Sequence, residues 1–132
     1  MRHIYSKKFK LIISIGYPKT GTTYLQNFFF NKIKNINYIG IEKKFDSDLF
    51  YIRKSVIKNS DEDFKKNLNN LKKIIKKKIE KNSINLYSDE HFLSPSIYGY
   101  ERTIKRLNKI LIEFKKSLTI IVFKRKQSDL IL

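Results

Sequence analysis

The sequence predicts an α/β fold in which helices flank a parallel β-sheet. Short apolar runs rich in β-branched residues alternate along the chain with longer segments of helical periodicity. The first apolar run is almost continuous, which is typical of a central strand covered on both faces. No internal repeat or low-complexity linker divides the sequence, so we expect a single domain over residues 1–132. Because right-handed crossovers join such strands, their carboxyl ends should share one edge of the sheet.

The amino-terminal half is expected to contain two strands and one helix. Residues 9–15 form the first apolar run, and a turn with two glycines follows it. Residues 21–34 have helical spacing. The side chains of this helix that should face inward are Tyr24, Leu25, Phe28, Phe29 and Ile33. A short strand is expected at 37–41, and residues 42–60, which have no clean period, are interpreted as a loop with room for a short helix.

The carboxyl-terminal half is expected to contain two helices and two strands. Ser60 and Asp63 resemble a capping box with Asp in place of the usual Glu, so a helix should begin there. Its apolar face carries Phe64, Leu68, Leu71, Ile75 and Ile79. Its other face is rich in lysine, which is typical of a solvated surface. Strands are expected at 85–88 and 118–123, with a helix over 101–116 between them. The inward side chains of that helix should be Ile104, Leu107, Leu111 and Phe114.

The composition is that of a folded, strongly basic protein. Hydrophobic residues make up 41%, and 29 Lys and Arg residues oppose 12 Asp and Glu residues, which gives a formal net charge of +17. The chain has no cysteine and two histidines, so disulfides are excluded and we expect no metal site. No apolar stretch approaches the ~20 residues of a membrane span, and we expect a cytoplasmic protein. The charge accompanies a bias towards Lys, Ile and Asn that is typical of an A+T-rich genome. Since no nucleic-acid motif is present, we expect no specific nucleic-acid partner.

The turn after the first strand has the features of an anion-binding loop. Gly16 and Gly21 have the glycine spacing of a Walker A motif, in which a lysine directly follows the second glycine. Here Thr22 occupies that position and Lys19 precedes the second glycine. A strand, a glycine-rich turn and a helix N-terminus together expose backbone N–H groups, and Lys19 adds a mobile cation. We therefore expect this turn to hold a phosphate or a sulfate group.

Residues 17–25, with the sequence YPKTGTTYL, resemble the 5′-phosphosulfate loop of the sulfotransferases that use 3′-phosphoadenosine 5′-phosphosulfate (PAPS). That loop reads approximately Y-P-K-[ST]-G-T-[ST]-[WY]-L, and this sequence matches it at every position. The resemblance implies a P-loop NTPase-like fold and PAPS as the co-substrate, with no metal required. It implies that Lys19 is catalytic, because its charge would neutralise the bridging oxygen as the sulfuryl group leaves. The residues that it implies for binding the donor are Pro18, Lys19, Thr20, Gly21, Thr22 and Thr23.

Residues 85–93 contain the position at which such a sulfotransferase would carry its general base. The base takes the proton of the acceptor hydroxyl, and Glu or His at a strand end can do this. Ser88, Asp89 and Glu90 resemble the Ser-x-Glu of many bacterial members, whereas better-known cytosolic members use a histidine, which His91 would supply. We favour Glu90 over His91 and rank Asp89 third. The alternative is that these residues only cap a helix or a loop.

The end of the sequence resembles the family's 3′-phosphate segment, in which a strand runs into an arginine that is followed four positions later by an acid. Arg125 and Asp129 fit this pattern, and a guanidinium can bind a phosphate through two parallel hydrogen bonds. The serine expected four positions further would lie past Leu132. Family members are roughly twice as long, as befits a full α/β domain. The resemblance therefore covers the amino-terminal half of such a domain and implies a truncated or partial form.

The expected function is transfer of a sulfuryl group from PAPS to a hydroxyl of a carbohydrate or another metabolite, or a truncated form that has lost this activity. Two alternatives stay open. A P-loop kinase or NTPase would need Mg²⁺ and an acid after an apolar strand, and the displaced Lys19 argues against it. A non-catalytic basic module would bind nucleic acid or an anionic surface through diffuse charge.

Overall fold

Four parallel strands form one sheet in the computed structural model of this chain, which describes residues 8–16, 22–40, 45–93 and 99–123. In chain order the strands are β1 (Lys10–Gly16), β2 (Ile36–Gly40), β3 (Ile84–Ser88) and β4 (Leu118–Phe123). Their order across the sheet is β2-β3-β1-β4. The predicted α/β fold with a parallel sheet is confirmed. Each strand begins and ends within one residue of its predicted bounds.

Helices connect successive strands. The α-helices are α1 (Thr22–Phe28), α2 (Ser47–Ile57), α3 (Asp61–Lys78) and α4 (Tyr100–Leu111). Three 3₁₀ turns, at Phe30–Lys32, Glu90–Leu93 and Ile112–Ser117, complete the described connections. Thus α1 lies between β1 and β2, α2 and α3 lie between β2 and β3, and α4 lies between β3 and β4.

The two faces of the sheet are covered unequally. Along β1, the side chains of Leu11, Ile13 and Ile15 are buried in the core that α2, α3 and α4 form on one face. The helical members of this core are Leu49, Ile52, Val56, Phe64, Leu71, Ile75, Leu107, Ile110 and Leu111. On the opposite face, Gln26 of α1 reaches Ser88 of β3. Towards the α1 layer β1 presents Ile12 and the buried Ser14, so both of its faces are covered and its sequence is nearly continuously apolar, as is typical of a central parallel strand.

Helix α2 is longer than predicted, because the sequence was interpreted as a loop with room for a short helix over residues 42–60. The structure contains an eleven-residue helix, and the Asp46 side chain caps it by accepting hydrogen bonds from the backbone N–H groups of Asp48 and Leu49. The apolar face of α2 carries Leu49, Ile52 and Val56, all of them buried. This spacing of three and four residues was present in the sequence, but two aromatic residues between these positions, the exposed Phe50 and the partly buried Tyr51, obscured it.

Helix α3 follows its prediction closely. The Ser60 side chain accepts a hydrogen bond from the backbone N–H of Asp63, so the predicted cap is present. Three acids lie in the first turn and three lysines in the last, an arrangement that the helix dipole favours at both ends. Of the predicted apolar face, Leu68 is only partly buried but packs against the core. The buried members are Phe64, Leu71, Ile75 and Ile79.

The prediction for α1 was wrong in its length and in its inward face. The helix ends at Phe28 and a 3₁₀ turn follows, so the spacing predicted over 21–34 does not persist. Tyr24, Phe28 and Phe29 are 66%, 50% and 55% exposed instead of facing inward. Gln26 and Phe30 are buried in their place. Among the described helices α1 is the one on this face of the sheet, and its side chains Tyr24 and Phe28 lie largely in solvent.

Helix α4 also ends earlier than predicted, and one predicted core residue is wrong. The chain changes to a 3₁₀ turn after Leu111, and Ile104 is 40% exposed. The predicted inward residues Leu107, Leu111 and Phe114 are buried, as are Thr103, Arg106 and Ile110, which the pattern did not include. The buried guanidinium of Arg106 decides which face of α4 points towards α2. Its Nη1 donates to the carbonyl oxygens of Ser55 and Val56 at 3.1 and 3.2 Å. These carbonyls lie in the last turn of α2, where backbone acceptors lack helical partners.

Ile110 and Ile104 offer a matched test of which face of α4 is buried. Ile110→Ala should lower the free energy of unfolding by about 2–5 kcal/mol, because this side chain is 2% exposed and its removal leaves a cavity. Ile104→Ala should cost less than about 1 kcal/mol, since the side chain is already half in solvent. Urea denaturation of both variants measures the difference. Equal losses, or the larger loss in Ile104→Ala, would contradict this orientation of the helix.

Candidate functional site

Three strands end side by side at one edge of the sheet. β1 lies between β3 and β4, with Ser14 opposite Ser88 and Gly16 opposite Phe123. The backbone N–H of Asp89 donates to the carbonyl oxygen of Ser14 at 3.3 Å, so the chain remains beside β1 as it leaves β3. The segments that follow β1, β3 and β4 therefore start from neighbouring positions, as the parallel topology led us to expect.

Most of the predicted donor-binding residues lie outside the described residues. They are Pro18, Lys19, Thr20, Gly21 and Arg125, together with Asp129. The chain enters the predicted anion loop from the end of β1 and leaves it at the start of α1, so the expected strand and helix are both present. Thr22 and Thr23 begin that helix, but their side chains also lie outside the described set. Glu90 and His91 are described and lie directly after β3.

The crevice between the carboxyl ends of β1 and β3 is a topological switch point. From β1 the chain passes through α1 on one face of the sheet to β2. From β3 it passes through α4 on the opposite face to β4. Adjacent strands whose crossovers lie on opposite faces leave a crevice at their carboxyl ends, and open α/β sheets bind ligands there. The loop after β1 and the turn after β3 both begin at this crevice.

A buried ion pair lies at the β3 side of the crevice. Asp89 is the one buried carboxylate among the described residues, with a side chain only 1% exposed. Arg53 of α2 binds it through two hydrogen bonds, from Nε to Oδ2 at 2.8 Å and from Nη2 to Oδ1 at 2.9 Å. A bidentate guanidinium–carboxylate contact is geometrically specific, and its charge-assisted hydrogen bonds offset the free energy that the carboxylate loses when it is removed from water.

The pKa of the Asp89 carboxyl is held below its ordinary value. Burial alone would raise this pKa, but hydrogen bonds from His91 and Arg53 and the charge of the guanidinium more than offset the burial. Asp89 is therefore ionised at neutral pH. Because Arg53 binds both of its oxygens, Asp89 is poorly suited to the role of base for which it was ranked third.

The His91 ring contacts the same carboxylate. The His91 backbone N–H donates to Asp89 Oδ1 at 2.9 Å, and the ring Nδ1 lies 3.3 Å from that oxygen. Nδ1 is shielded from solvent and makes no hydrogen bond to a described residue, Asp89 included, although the side chain as a whole is 46% exposed. The next residue, Phe92, is fully buried and packs edge-on against Tyr87 with ring centroids 5.7 Å apart. This packing anchors the turn that carries His91.

Glu90, the favoured candidate base, begins the same 3₁₀ turn and is partly exposed. It follows the buried Asp89 and precedes His91, so both candidate bases leave β3 at the crevice. The choice between Glu90 and His91 as the base stays a prediction.

A buried hydrogen bond connects the helix that follows the predicted anion loop to the strand that precedes the candidate bases. Gln26 Nε2 donates to Ser88 Oγ at 2.8 Å, with 6% and 1% of the two residues exposed. Ser14, which lies opposite Ser88 on β1, is also buried, and its Oγ makes no hydrogen bond to a described residue. The contact between Gln26 and Ser88 therefore sets the position of α1 against β3.

Sequence reasoning missed Arg53 entirely. This arginine lies on α2, within the segment that was interpreted as mainly loop, and 36 positions separate it from Asp89. In the sequence, Asp46 as a capping residue and the spacing of Leu49, Ile52 and Val56 were signals for the helix. The partner of Arg53, however, depends on how α2 packs on the sheet, which local sequence does not encode.

Two open grooves lie away from this crevice. One encloses about 730 Å³ at the amino ends of the strands, beside Lys10, Asn37 and Ser83. The other encloses about 820 Å³ between α3 and α4, beside Leu68 and Lys105. Neither is lined by a predicted site residue. Within the described residues, no group of three or more His, Asp or Glu side chains is arranged to hold a metal ion.

Comparisons with known proteins found no relative of this chain. A scan against protein-family models, a search of curated proteins and a search of solved structures each gave no match. Among the helices described here, none is both long enough and apolar enough to cross a membrane. The chemistry of the site is therefore inferred from the residues of this chain.

Replacing Asp89 tests the buried ion pair through its pH dependence. Asp89→Asn should cost about 3 kcal/mol of unfolding free energy at pH 7, because it leaves Arg53 without its charged partner. Because folding lowers the pKa of Asp89, its stabilising contribution is complete above the unfolded value of about 3.9 and is lost as the pH falls through the folded value.

The difference between the wild type and Asp89→Asn should therefore be constant from about pH 7 to 5 and shrink below about pH 4. Urea denaturation at several pH values measures it. The matched control is Glu62→Gln, which removes an exposed acid from α3 and should change stability by less than about 1 kcal/mol. A difference that grows on acidification would contradict the assigned role of the pair.

Proposed function

We propose that this chain is a PAPS-dependent sulfotransferase, or the nucleotide-binding part of one. The observation that carries the proposal is the string YPKTGTTYL at residues 17–25, which leaves the central strand β1 at the topological switch point. The same string on a loop remote from the carboxyl edge would carry little weight. Its position at the crevice where open α/β sheets bind ligands supports the resemblance to the 5′-phosphosulfate loop and to a P-loop NTPase-like fold.

In this proposal the residues of the loop hold the donor. Backbone N–H groups and hydroxyls of residues 20–23 would bind the 5′-phosphosulfate, and Arg125 would bind the 3′-phosphate beyond the end of β4. The acceptor oxygen forms a bond to sulfur as the bond from sulfur to the bridging phosphate oxygen breaks. Lys19 stabilises the negative charge that develops on that bridging oxygen. The products are the sulfated acceptor and adenosine 3′,5′-bisphosphate.

The acceptor proton needs a base on the other side of the crevice. Glu90 and His91 both leave β3 beside β1, and the acceptor hydroxyl would approach from this side. By analogy with the family that the motif resembles, the acceptor is a carbohydrate or another hydroxylated metabolite, and the reaction takes place in the cytoplasm, where PAPS would be made. No metal is needed, because lysine and backbone N–H groups supply the positive charge.

A second candidate function follows from the charge of α3. Lys65, Lys66, Lys73, Lys76 and Lys77 are exposed along this helix, so a basic surface lies apart from the crevice. A module that bound nucleic acid or an anionic surface through diffuse charge would depend steeply on salt, and it would lose no more affinity from a lysine removed in the predicted loop than from a lysine removed on α3. The two candidates are therefore separable by substituting single lysines.

Calorimetric titration with adenosine 3′,5′-bisphosphate, beside AMP and ATP–Mg²⁺, tests the proposal. The bisphosphate should bind in clear preference to the other two nucleotides. Lys19→Ala should weaken its binding by about 10- to 100-fold, which corresponds to losing one charge-assisted contact. The matched control Lys66→Ala removes the same charge from α3 and should change the affinity by less than about threefold.

Each other outcome overturns the proposal in a recognisable way. Preference for ATP–Mg²⁺ would indicate a P-loop kinase or NTPase. Equal losses in Lys19→Ala and Lys66→Ala, with steep salt dependence, would indicate the basic module. No binding by a folded sample would indicate a chain that has the loop of the family without its chemistry.

A further inference from the structure

The turn after β3 carries an acid–imidazole contact that decides which nitrogen of His91 holds a proton. A neutral imidazole has one N–H donor and one bare acceptor nitrogen, and the hydrogen bond made by one nitrogen sets the state of the other. Nδ1 of His91 lies 3.3 Å from Oδ1 of Asp89 and is shielded from solvent. The remaining, exposed part of the ring includes Nε2.

Asp89 can act only as an acceptor in this contact. Its carboxylate is buried, and Arg53 binds both of its oxygens as a cation, so a proton on Asp89 is disfavoured. An ionised carboxylate carries no hydrogen that it could donate to a bare Nδ1. If Nδ1 carried no proton, its lone pair would face the Asp89 carboxylate oxygen. Because Nδ1 is shielded from water, that unpaired contact between two acceptors would cost free energy. The stable arrangement places the proton on Nδ1.

We propose that Asp89, held in place by Arg53, is a positioning residue that fixes His91 in the tautomer protonated on Nδ1, so that Nε2 presents a bare lone pair at the crevice. This inference rests on the proposed function for its consequence, which is that His91 rather than Glu90 takes the proton of the acceptor hydroxyl. Nδ1 lies 3.3 Å from Oδ1 without making a hydrogen bond in the free protein, and contacts of this kind commonly tighten into hydrogen bonds in the substrate complex.

Arg53 has a defined part in this arrangement. Because its guanidinium binds both oxygens of the ionised Asp89 carboxylate, Arg53 limits the role of that carboxylate to orientation. The backbone N–H of His91 also binds Asp89 Oδ1, at 2.9 Å, so the same oxygen orients both the main chain and the ring. Because Phe92 anchors the next position in the core, the backbone of the turn is fixed on both sides of His91, by Asp89 before it and by Phe92 after it.

The tautomer is measurable by ¹⁵N NMR of the imidazole nitrogens, without any nucleotide or acceptor. The chain contains two histidines, so His3→Gln leaves a single imidazole to assign. In the neutral imidazole, recorded at alkaline pH, the His91 Nδ1 resonance should be that of a protonated nitrogen and the Nε2 resonance that of a bare one. The opposite pattern in this otherwise wild-type protein would overturn the proposal, whatever the variants do.

Asp89→Ala and Glu90→Ala form a matched pair, since each removes one carboxylate from neighbouring positions. In Asp89→Ala the acceptor beside Nδ1 is gone, so the proton should no longer be confined to Nδ1, and both nitrogen resonances should move towards the averaged values of a ring that exchanges between its two tautomers. In Glu90→Ala the wild-type pattern should persist. A folded Asp89→Ala protein with an unchanged tautomer, or a Glu90→Ala protein in which the wild-type pattern is lost, would overturn the positioning role.

The outcome is independent of the nucleotide experiment. If adenosine 3′,5′-bisphosphate fails to bind while the tautomer is present and is lost in Asp89→Ala, the positioning role holds and the proposed function is wrong. If the nucleotide binds and the wild-type tautomer is reversed, the proposed function holds and Asp89 does not position His91.

Discussion

The position of β1 between β3 and β4 is the constraint on which the rest of the structure depends. Parallel strands cannot be joined by tight turns, so every connection needs a crossover on a face of the sheet. The connection from β1 to β2 crosses over β3, and the connection from β3 to β4 crosses over β1 in the opposite direction. Because both crossovers are right-handed, they lie on opposite faces of the sheet. This arrangement opens the crevice at the carboxyl edge, and among the described helices it leaves α1 alone on its face of the sheet.

Buried polar groups then tie the layers together. Asn85 is fully buried, accepts a hydrogen bond from Asn37 Nδ2 at 2.7 Å and contacts the carbonyl oxygen of Lys10 through its own Nδ2, so it joins the starts of three strands. Arg106 binds the carbonyls that end α2 and lies over the Phe64 ring at 4.9 Å. Unmade hydrogen bonds at such sites would be expensive, and these contacts therefore make the packing of the helices specific.

The candidate site combines these two features. At the switch point the ends of β1 and β3 lie side by side, so the segments that follow them start at one crevice, and the Asp89–Arg53 pair holds the β3 side. Gln26 links the other side to β3 through Ser88. Groups that bind a charged ligand or move a proton need such fixed neighbours, because their effect depends on orientation as well as on charge.

The sequence by itself determined the parallel α/β class, the four strands, the cap and apolar face of α3, and the loop motif at residues 17–25. These features are local: hydrophobic period, capping residues and glycine spacing act over a few neighbouring positions. Only the tertiary structure decided the strand order, the exposed face of α1 and the burial of Arg106. It also decided that Arg53 meets Asp89 beside His91, because residues far apart in sequence become partners only through the packing of helices on the sheet.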